Sequence, residues 1–266
     1  MLMDKPTTRR PFFNKLYSGF IAIAVGFLSI GQWSDTQAVI ESAYHAFLTH
    51  FTHKVEYQQL ATVKVGGNLA FVEQEFGLAS VIKTAQKQPS LQYRFYIRPK
   101  YLLTIAVLGE RIQAVAVMSR DRSFDPPLPF SSLQLSKFSF EYFGDFNGTF
   151  ASDNSNLSYY IEGKERGREG LFLNQYVAYV DYGAQYPPAN QTDQTLAAEQ
   201  IRQGAQQKIQ KLNQAILEDA EQDITDLIPI LRKQLYPNVF ISGHLDMETA
   251  ADMLLTRYEY AAYFGE

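Results

Sequence analysis

Residues 91–118 read LQYRFYIRPKYLLTIAVLGERIQAVAVM. Leu91, Tyr93, Phe95 and Ile97 alternate with Gln92, Arg94, Tyr96 and Arg98, the period-two pattern of a half-buried strand. Pro99-Lys100 predicts a turn, and Tyr101–Leu108, nearly all apolar, predicts a more deeply buried strand. Gly109-Glu110 turns the chain again, and Arg111–Met118 supplies a third strand. Strands joined by such short turns pair antiparallel. Just upstream, Lys64-Val65-Gly66-Gly67 leads into Asn68, a residue type suited to an N-cap. A short helix should follow to Phe76, with Leu69, Val72 and Phe76 on one face and Gly77 as its stop. The expected unit is a meander with one face covered by helix.

The surrounding composition narrows the class. The chain has 266 residues, 46% of them hydrophobic, which suffices for a substantial core. A net charge of −4 argues against a dedicated nucleic-acid binder. Zero cysteines exclude disulfides, thiolate metal sites and a cysteine nucleophile.

Towards the N-terminus, Lys5, Arg9, Arg10 and Lys15 face a single acid, Asp4, and then comes LYSGFIAIAVGFLSIGQWS at 16–34, free of charge. As a helix this stretch would be about 28 Å long, near the hydrocarbon thickness of a bilayer, with Tyr17 and Trp33 at its ends. It predicts a single-pass inner (cytoplasmic) membrane anchor with the N-terminus inside and the bulk extracytoplasmic, hence periplasmic. A cleaved signal peptide ending near residue 31 and a buried soluble helix are the competing readings. Ser34-Asp35-Thr36-Gln37 fits a capping box for an amphipathic helix carrying Ile40, Tyr44, Phe47, Phe51 and Val55. His45, His50, His53 and Glu56 on it have partial metal-ligand spacing, and a solvated polar face explains them as well.

Downstream, Asp125-Pro126-Pro127-Leu128-Pro129 breaks any helix or central strand. Residues 124–186 then hold 15 aromatics in 63 positions. Leu133/Leu135 and Phe138/Phe140 predict strands. The tyrosines Tyr159, Tyr160, Tyr176 and Tyr179 are the candidate partner-binding surface, set against a plain aromatic core. Glu162–Gly170 reads as a solvated, mixed-charge hairpin tip. From Thr192 or Asp193 a glutamine-rich helix should run to about Glu221 on a thin stripe of Ile201, Ala205, Ile209, Leu212 and Ile216, partly exposed as an arm. A second helix follows from Asp223 to Leu235 around Pro229. Val239-Phe240-Ile241 could add a strand, and Asp246 caps a final helix.

No nucleophile elbow, phosphate loop, dinucleotide fingerprint or His-Glu-x-x-His occurs. His244, Asp246 and Glu248 form an H-x-D-x-E run, which helix capping explains without chemistry. No catalytic, cofactor-binding or metal-ligating residue is therefore assigned, and no cofactor is expected.

The run VKVGGNLAFVEQEFGLASVIK at 63–83, with YRFYI, YLLTIAV and RIQAVAVMS after it, resembles the small module of the SmpA/OmlA (BamE-type) outer-membrane assembly lipoproteins. GQWSD, VGGNLAFVEQEFG and FDPPLPF together resemble an uncharacterised bacterial family of membrane-anchored proteins, the ETEC-type domain family. The first resemblance implies an adaptor-like α+β fold. The second implies no activity. The BamE-type proteins carry a lipidated cysteine that this chain lacks, so attachment would fall to the helix.

The expected architecture is α+β: a basic stub at 1–15, a transmembrane helix at 16–34, a juxtamembrane helix at 35–60, a BamE-like module at 61–122, an aromatic-rich β region at 123–188 and a helical region at 189–266. The expected function is a membrane-anchored, non-enzymatic binding or scaffold protein of the cell envelope, whose partner is another protein or an envelope component. The alternatives are a carbohydrate-active or hydrolytic enzyme using the aromatic region and a sensor or defence-type protein with a cytoplasmic domain.

Overall fold

The computed structural model describes residues 53–129, 131–144, 149–165, 172–186 and 198–265. The 1–15 stub, the 16–34 span, His45, His50 and most of the juxtamembrane helix lie outside them. So does the tip of the 162–170 hairpin.

The elements anticipated around residue 91 are present. After helix α1 (Lys54–Thr62) comes α2 (Leu69–Phe76), where the Asn68 side chain accepts from the Ala70 N–H and Gly77 closes the helix at φ 74°. Leu69, Val72 and Phe76 are its buried residues. Strands β1 (Val81–Thr84), β2 (Leu91–Ile97), β3 (Tyr101–Leu108) and β4 (Arg111–Ser119) form an antiparallel meander.

Beyond Ser119 the structure departs from expectation. No strand forms at Leu133/Leu135 or Phe138/Phe140. That stretch holds one isolated bridge, Pro127 to Gln134, and a 3-10 turn at Phe140–Tyr142. Leu135 and Phe140 are buried, but by an irregular chain packed under helices rather than by strand pairing. A second meander comprises β5 (Thr149–Asp153), β6 (Tyr159–Glu165) and β7 (Asn174–Val180). Helices α3 (Ala198–Leu217) and α4 (Glu221–Gln234, with Pro229 inside) follow, then β8 (Val239–Gly243), α5 (Met247–Asp252) and α6 (Arg257–Phe264).

The expected fold class, a module and a separate β region behind a transmembrane helix, is corrected here. The strands form one eight-stranded antiparallel sheet in the order β1-β2-β3-β4-β8-β7-β6-β5. β8 is the join: Ala114 pairs with Gly243 on one side and Asn174 pairs with Gly243 on the other. Its five residues are all buried, so VFISG shows no alternation that would reveal its neighbours in advance. Gly243 is required by closeness. A Cβ there would stand 2.3 Å from the Ala114 Cβ and 2.6 Å from the Gln113 carbonyl.

No helix among the described residues is long and apolar enough to cross a membrane. The longest, α3, has 20 residues but buries only Ala205, Ile209, Leu212 and Ala215. The single-pass, periplasmic placement was derived from the 16–34 span, and the described structure supplies no span for it.

The two faces of the sheet are covered differently. On one, Tyr93, Phe95, Ala116, Ile241, Ala178 and Ile161 share a continuous core with Ala250, Leu255 and Tyr260 of the α5–α6 end. On the other, two separate cores form. Val63 and α2 cover Tyr101, Leu103 and Ile105. Helices α3 and α4 cover Tyr160, Val177 and Tyr179. The glutamine-rich helix therefore packs on the sheet along its stripe instead of projecting.

Candidate functional site

The four tyrosines singled out from sequence do not form a surface. Tyr160, Tyr176 and Tyr179 are buried and Tyr159 is half-buried. Tyr160 and Tyr179 lie on one face of the sheet, Tyr159 and Tyr176 on the other. The Tyr160 hydroxyl donates to Glu162 Oε1 at 2.6 Å, that of Tyr176 to the Leu245 carbonyl at 2.8 Å and that of Tyr179 to Gln185 Oε1 at 2.8 Å. Burial pushes the Tyr160 and Tyr179 hydroxyls well above the usual phenol range, so both stay protonated donors. These rings hold the sheet to its helices.

Glu162, expected at a solvated tip, sits 2% exposed inside β6. It is ion-paired with Arg232 of α4, whose guanidinium also donates to the carbonyls of Phe140 at 2.9 Å and Phe143 at 3.2 Å. Burial raises the Glu162 carboxyl, against the pull of Tyr160 and Arg232. With Tyr160 on one oxygen and Arg232 on the other, this is a filled structural network. Among the described residues Glu162 is bonded to Tyr160 and Arg232 rather than set beside a second carboxylate, the pairing a glycosidase-type site would need.

The H-x-D-x-E run is dispersed as well. Asp246 caps α5 by accepting from the Thr249 N–H at 2.8 Å, and its carboxyl is drawn below the usual range first by the Thr249 hydroxyl and then by that N–H. Glu248 pairs with Lys87, and His244 is exposed. Among the described residues no group of three His, Cys, Asp or Glu is placed to hold a metal ion.

What the fold does create is a groove of about 570 Å³ between the two separate cores. Its base is the seam of the sheet, Val115 and Val117 of β4 beside Phe240 of β8. One wall is Tyr57 and Leu60 of α1 with Val63, and the other is the Pro126–Pro129 segment. Leu128 is held in that wall by its N–H donating to the Leu133 carbonyl at 3.0 Å. Tyr57 fastens the walls together: its hydroxyl donates to Asp125 Oδ1 at 2.9 Å and its ring lies 5.3 Å from that of Phe124. Lys64 is the single charged lining residue, and Ser242 contributes a hydroxyl. Val115 and Val117 are half-buried, so the groove opens to solvent.

Sequence reasoning missed this groove because its parts are separated by up to 185 positions, from Tyr57 to Ser242. Its one local signal was the Pro-rich break, whose Leu128 is an apolar residue with no helix or strand to explain it.

No family model matches the chain, so the resemblances to BamE-type modules and to the ETEC-type family find no support there. No curated protein matches it either. Among solved structures the chain is similar to a cysteine-rich secretory protein from Staphylococcus aureus subsp. aureus Mu50, at 14% identity and a TM-score of 0.25. The match covers 46% of this chain and spans only 38% of that one. At that score the likeness carries no argument about fold or function.

Proposed function

We propose that the protein is a non-enzymatic binding protein whose site is the seam groove, and that its ligand is a short apolar segment of another protein carrying an acidic residue. The observation that carries this reading is the unfilled stretch of sheet between two helix-covered cores. Apolar side chains left half-exposed over a cavity of this size are a usual mark of an interaction site. The open side favours a segment of a partner over an enclosed lipid, since a small-molecule pocket usually buries most of its ligand. Lys64, alone at the rim, favours a carboxylate on that segment.

The test is selection of displayed random peptides on the full-length protein, followed by affinity measurement. Enrichment of apolar peptides with an acidic residue is expected, with binding weakened about tenfold or more by Leu60→Asp. A melting temperature within a few degrees of the parent would confirm that the variant is folded. Selected peptides that bind Leu60→Asp as well as the parent would remove the groove from this role. Displacement by a fatty acid but by no peptide would assign it to lipid instead.

A further inference from the structure

A second cavity, of about 260 Å³, lies between α3 and the end of α4. Its construction follows from α3. The apolar residues Ala205, Ile209 and Leu212 turn that helix towards the sheet. Gln200, Gly204 and Lys208 recur every four positions, so they form one row beside that stripe, and all three line the cavity. Leu235 and Tyr236, just past α4, make the facing wall. Tyr186 stands with them, its ring stacked 6.3 Å from that of Tyr236.

Lys208 is the single charged residue of this lining and is half-buried. Its ammonium donates to the Gly204 carbonyl at 3.1 Å, one turn back along α3, and keeps two protons for other acceptors. Among the described residues no carboxylate pairs with it. Burial first, and then the like charge of Lys211, lower its amine below the usual lysine value. The tyrosines supply no counter-charge. Burial pushes the Tyr186 hydroxyl up to about 12 and raises that of Tyr236, so both rings stay neutral near pH 7. A partly desolvated charge without a counter-ion is unfavourable.

Gly204 is the second observation. It lies in the interior of a 20-residue helix, where only proline is a poorer helix former. The chain's own packing does not demand a glycine there. A Cβ would meet only the Lys208 Nζ, at 3.6 Å, an ordinary contact. A glycine in such a place is explained when something outside the chain must approach the backbone closely.

The chemistry of the lining decides what would complete it. One ammonium without a counter-ion calls for a single negative charge. A phosphate group carries close to two charges and would need further cations, which this lining lacks. Ile201, Leu235 and the tyrosine rings call for an apolar or aromatic body. Gln200, exposed at the rim, offers an amide donor to a second oxygen. The volume falls just under the roughly 300–1,000 Å³ of sites for drug-sized ligands, so the ligand is small. We infer that this cavity is a binding site for a small monocarboxylate with an apolar or aromatic body, its carboxylate paired with Lys208 beside Gly204 and its body packed on the Tyr186–Tyr236 pair. The site shares no lining residue with the seam groove.

The experiment titrates the full-length protein with benzoate, 3-phenylpropanoate and hexanoate, read by saturation-transfer NMR, with the matching neutral amides and inorganic phosphate as controls. At least one of these carboxylates should bind saturably, and its amide about tenfold more weakly or worse. Lys208→Gln should weaken the carboxylate about tenfold or more, the loss of one hydrogen bond to a charged group. Gly204→Ala should weaken it about fivefold or more by filling the space beside the ammonium, while raising the melting temperature by about 2–4 °C. Those opposite signs separate a ligand site from a glycine needed for folding. Leu60→Asp should leave carboxylate binding unchanged. Saturation by no carboxylate, an amide as tight as its acid, saturation by phosphate alone, affinity within twofold of the parent in Gly204→Ala, or loss of binding in Leu60→Asp would each overturn the assignment.

Discussion

In the half of the sheet built from β1–β4, the fully buried side chains are Tyr93, Phe95, Leu103, Ile105 and their like, and Thr104 and Ser119 are the buried polar ones. In the half built from β5–β7 with α3 and α4, Glu162, Gln175, Asp181, Gln185 and Arg232 are buried as well. The first half closes through short hairpins, so its strands find one another locally and burial of apolar area holds them. The second half closes over helices and a strand from far along the chain, and polar bonds specify how they seat. Asn238 shows this best. From the start of β8 its side chain donates to the carbonyls of Val180 at 2.8 Å and Ala184 at 3.1 Å, and accepts from the Val180 N–H at 2.8 Å. The lesson is that one continuous sheet can be patterned in one half and bonded in the other.

The contrast can be broken most severely at Arg232. Arg232→Met strands Glu162 in the core and should cost about 3–5 kcal/mol in urea denaturation. Adding Glu162→Gln to that variant should recover part of the loss, and a double variant no better than the single would show that packing, not charge, is at stake. Asn238→Ala removes three side-chain hydrogen bonds to backbone at the β7–β8 join, of whose partners the Val180 carbonyl keeps the Gly183 N–H at 3.3 Å, and should cost about 2–3 kcal/mol, again by urea denaturation. In the apolar half, Ile105→Val removes one buried methylene and should cost only about 0.5–1.5 kcal/mol. A loss there equal to that of Asn238→Ala would erase the distinction between the halves.

Smaller effects separate the carboxylates by the sign of their pH response. The Asp246 carboxyl is depressed in the folded state, so its capping contribution is present above the ordinary carboxylate range and is lost as pH falls through its folded value. Asp246→Ala should therefore cost about 1 kcal/mol near neutrality, and the gap to the parent should narrow in acid. Asp181 and Glu162 are raised by burial, so their cost is absent below the ordinary carboxylate range and grows as pH rises from that range through their raised folded values. Asp181→Asn should accordingly flatten that part of the stability–pH profile. At the bottom of the scale, the exposed Lys87–Glu248 pair is screened by solvent, and Lys87→Met should leave the urea midpoint unchanged.

Legibility in the sequence follows the same divide. α2, its Asn68 cap and strands β2–β4 were readable because period and turn chemistry are local. The α3 stripe was readable in part: Ala205, Ile209 and Leu212 are buried, while Ile216 points outward and Ala215 takes its place. The last helix was expected as one and is two. The Thr256–Glu259 capping box restarts the chain, a signal present in the sequence but hidden behind the stronger Asp246 cap. The seam groove was not legible, since it is assembled from segments whose spacing along the chain says nothing of their distance in space.

The sequence by itself determined the secondary structure of residues 68–77 and 91–118, the capping of α2 and the lack of any thiol chemistry, because these depend on neighbours within a few positions. The tertiary structure alone decided that VFISG lies at the centre of the sheet, that Glu162 is buried against Arg232, and that Tyr160, Tyr176 and Tyr179 are core. Those outcomes turn on which distant charges and backbones meet, and burial energies depend on that meeting rather than on the residue itself.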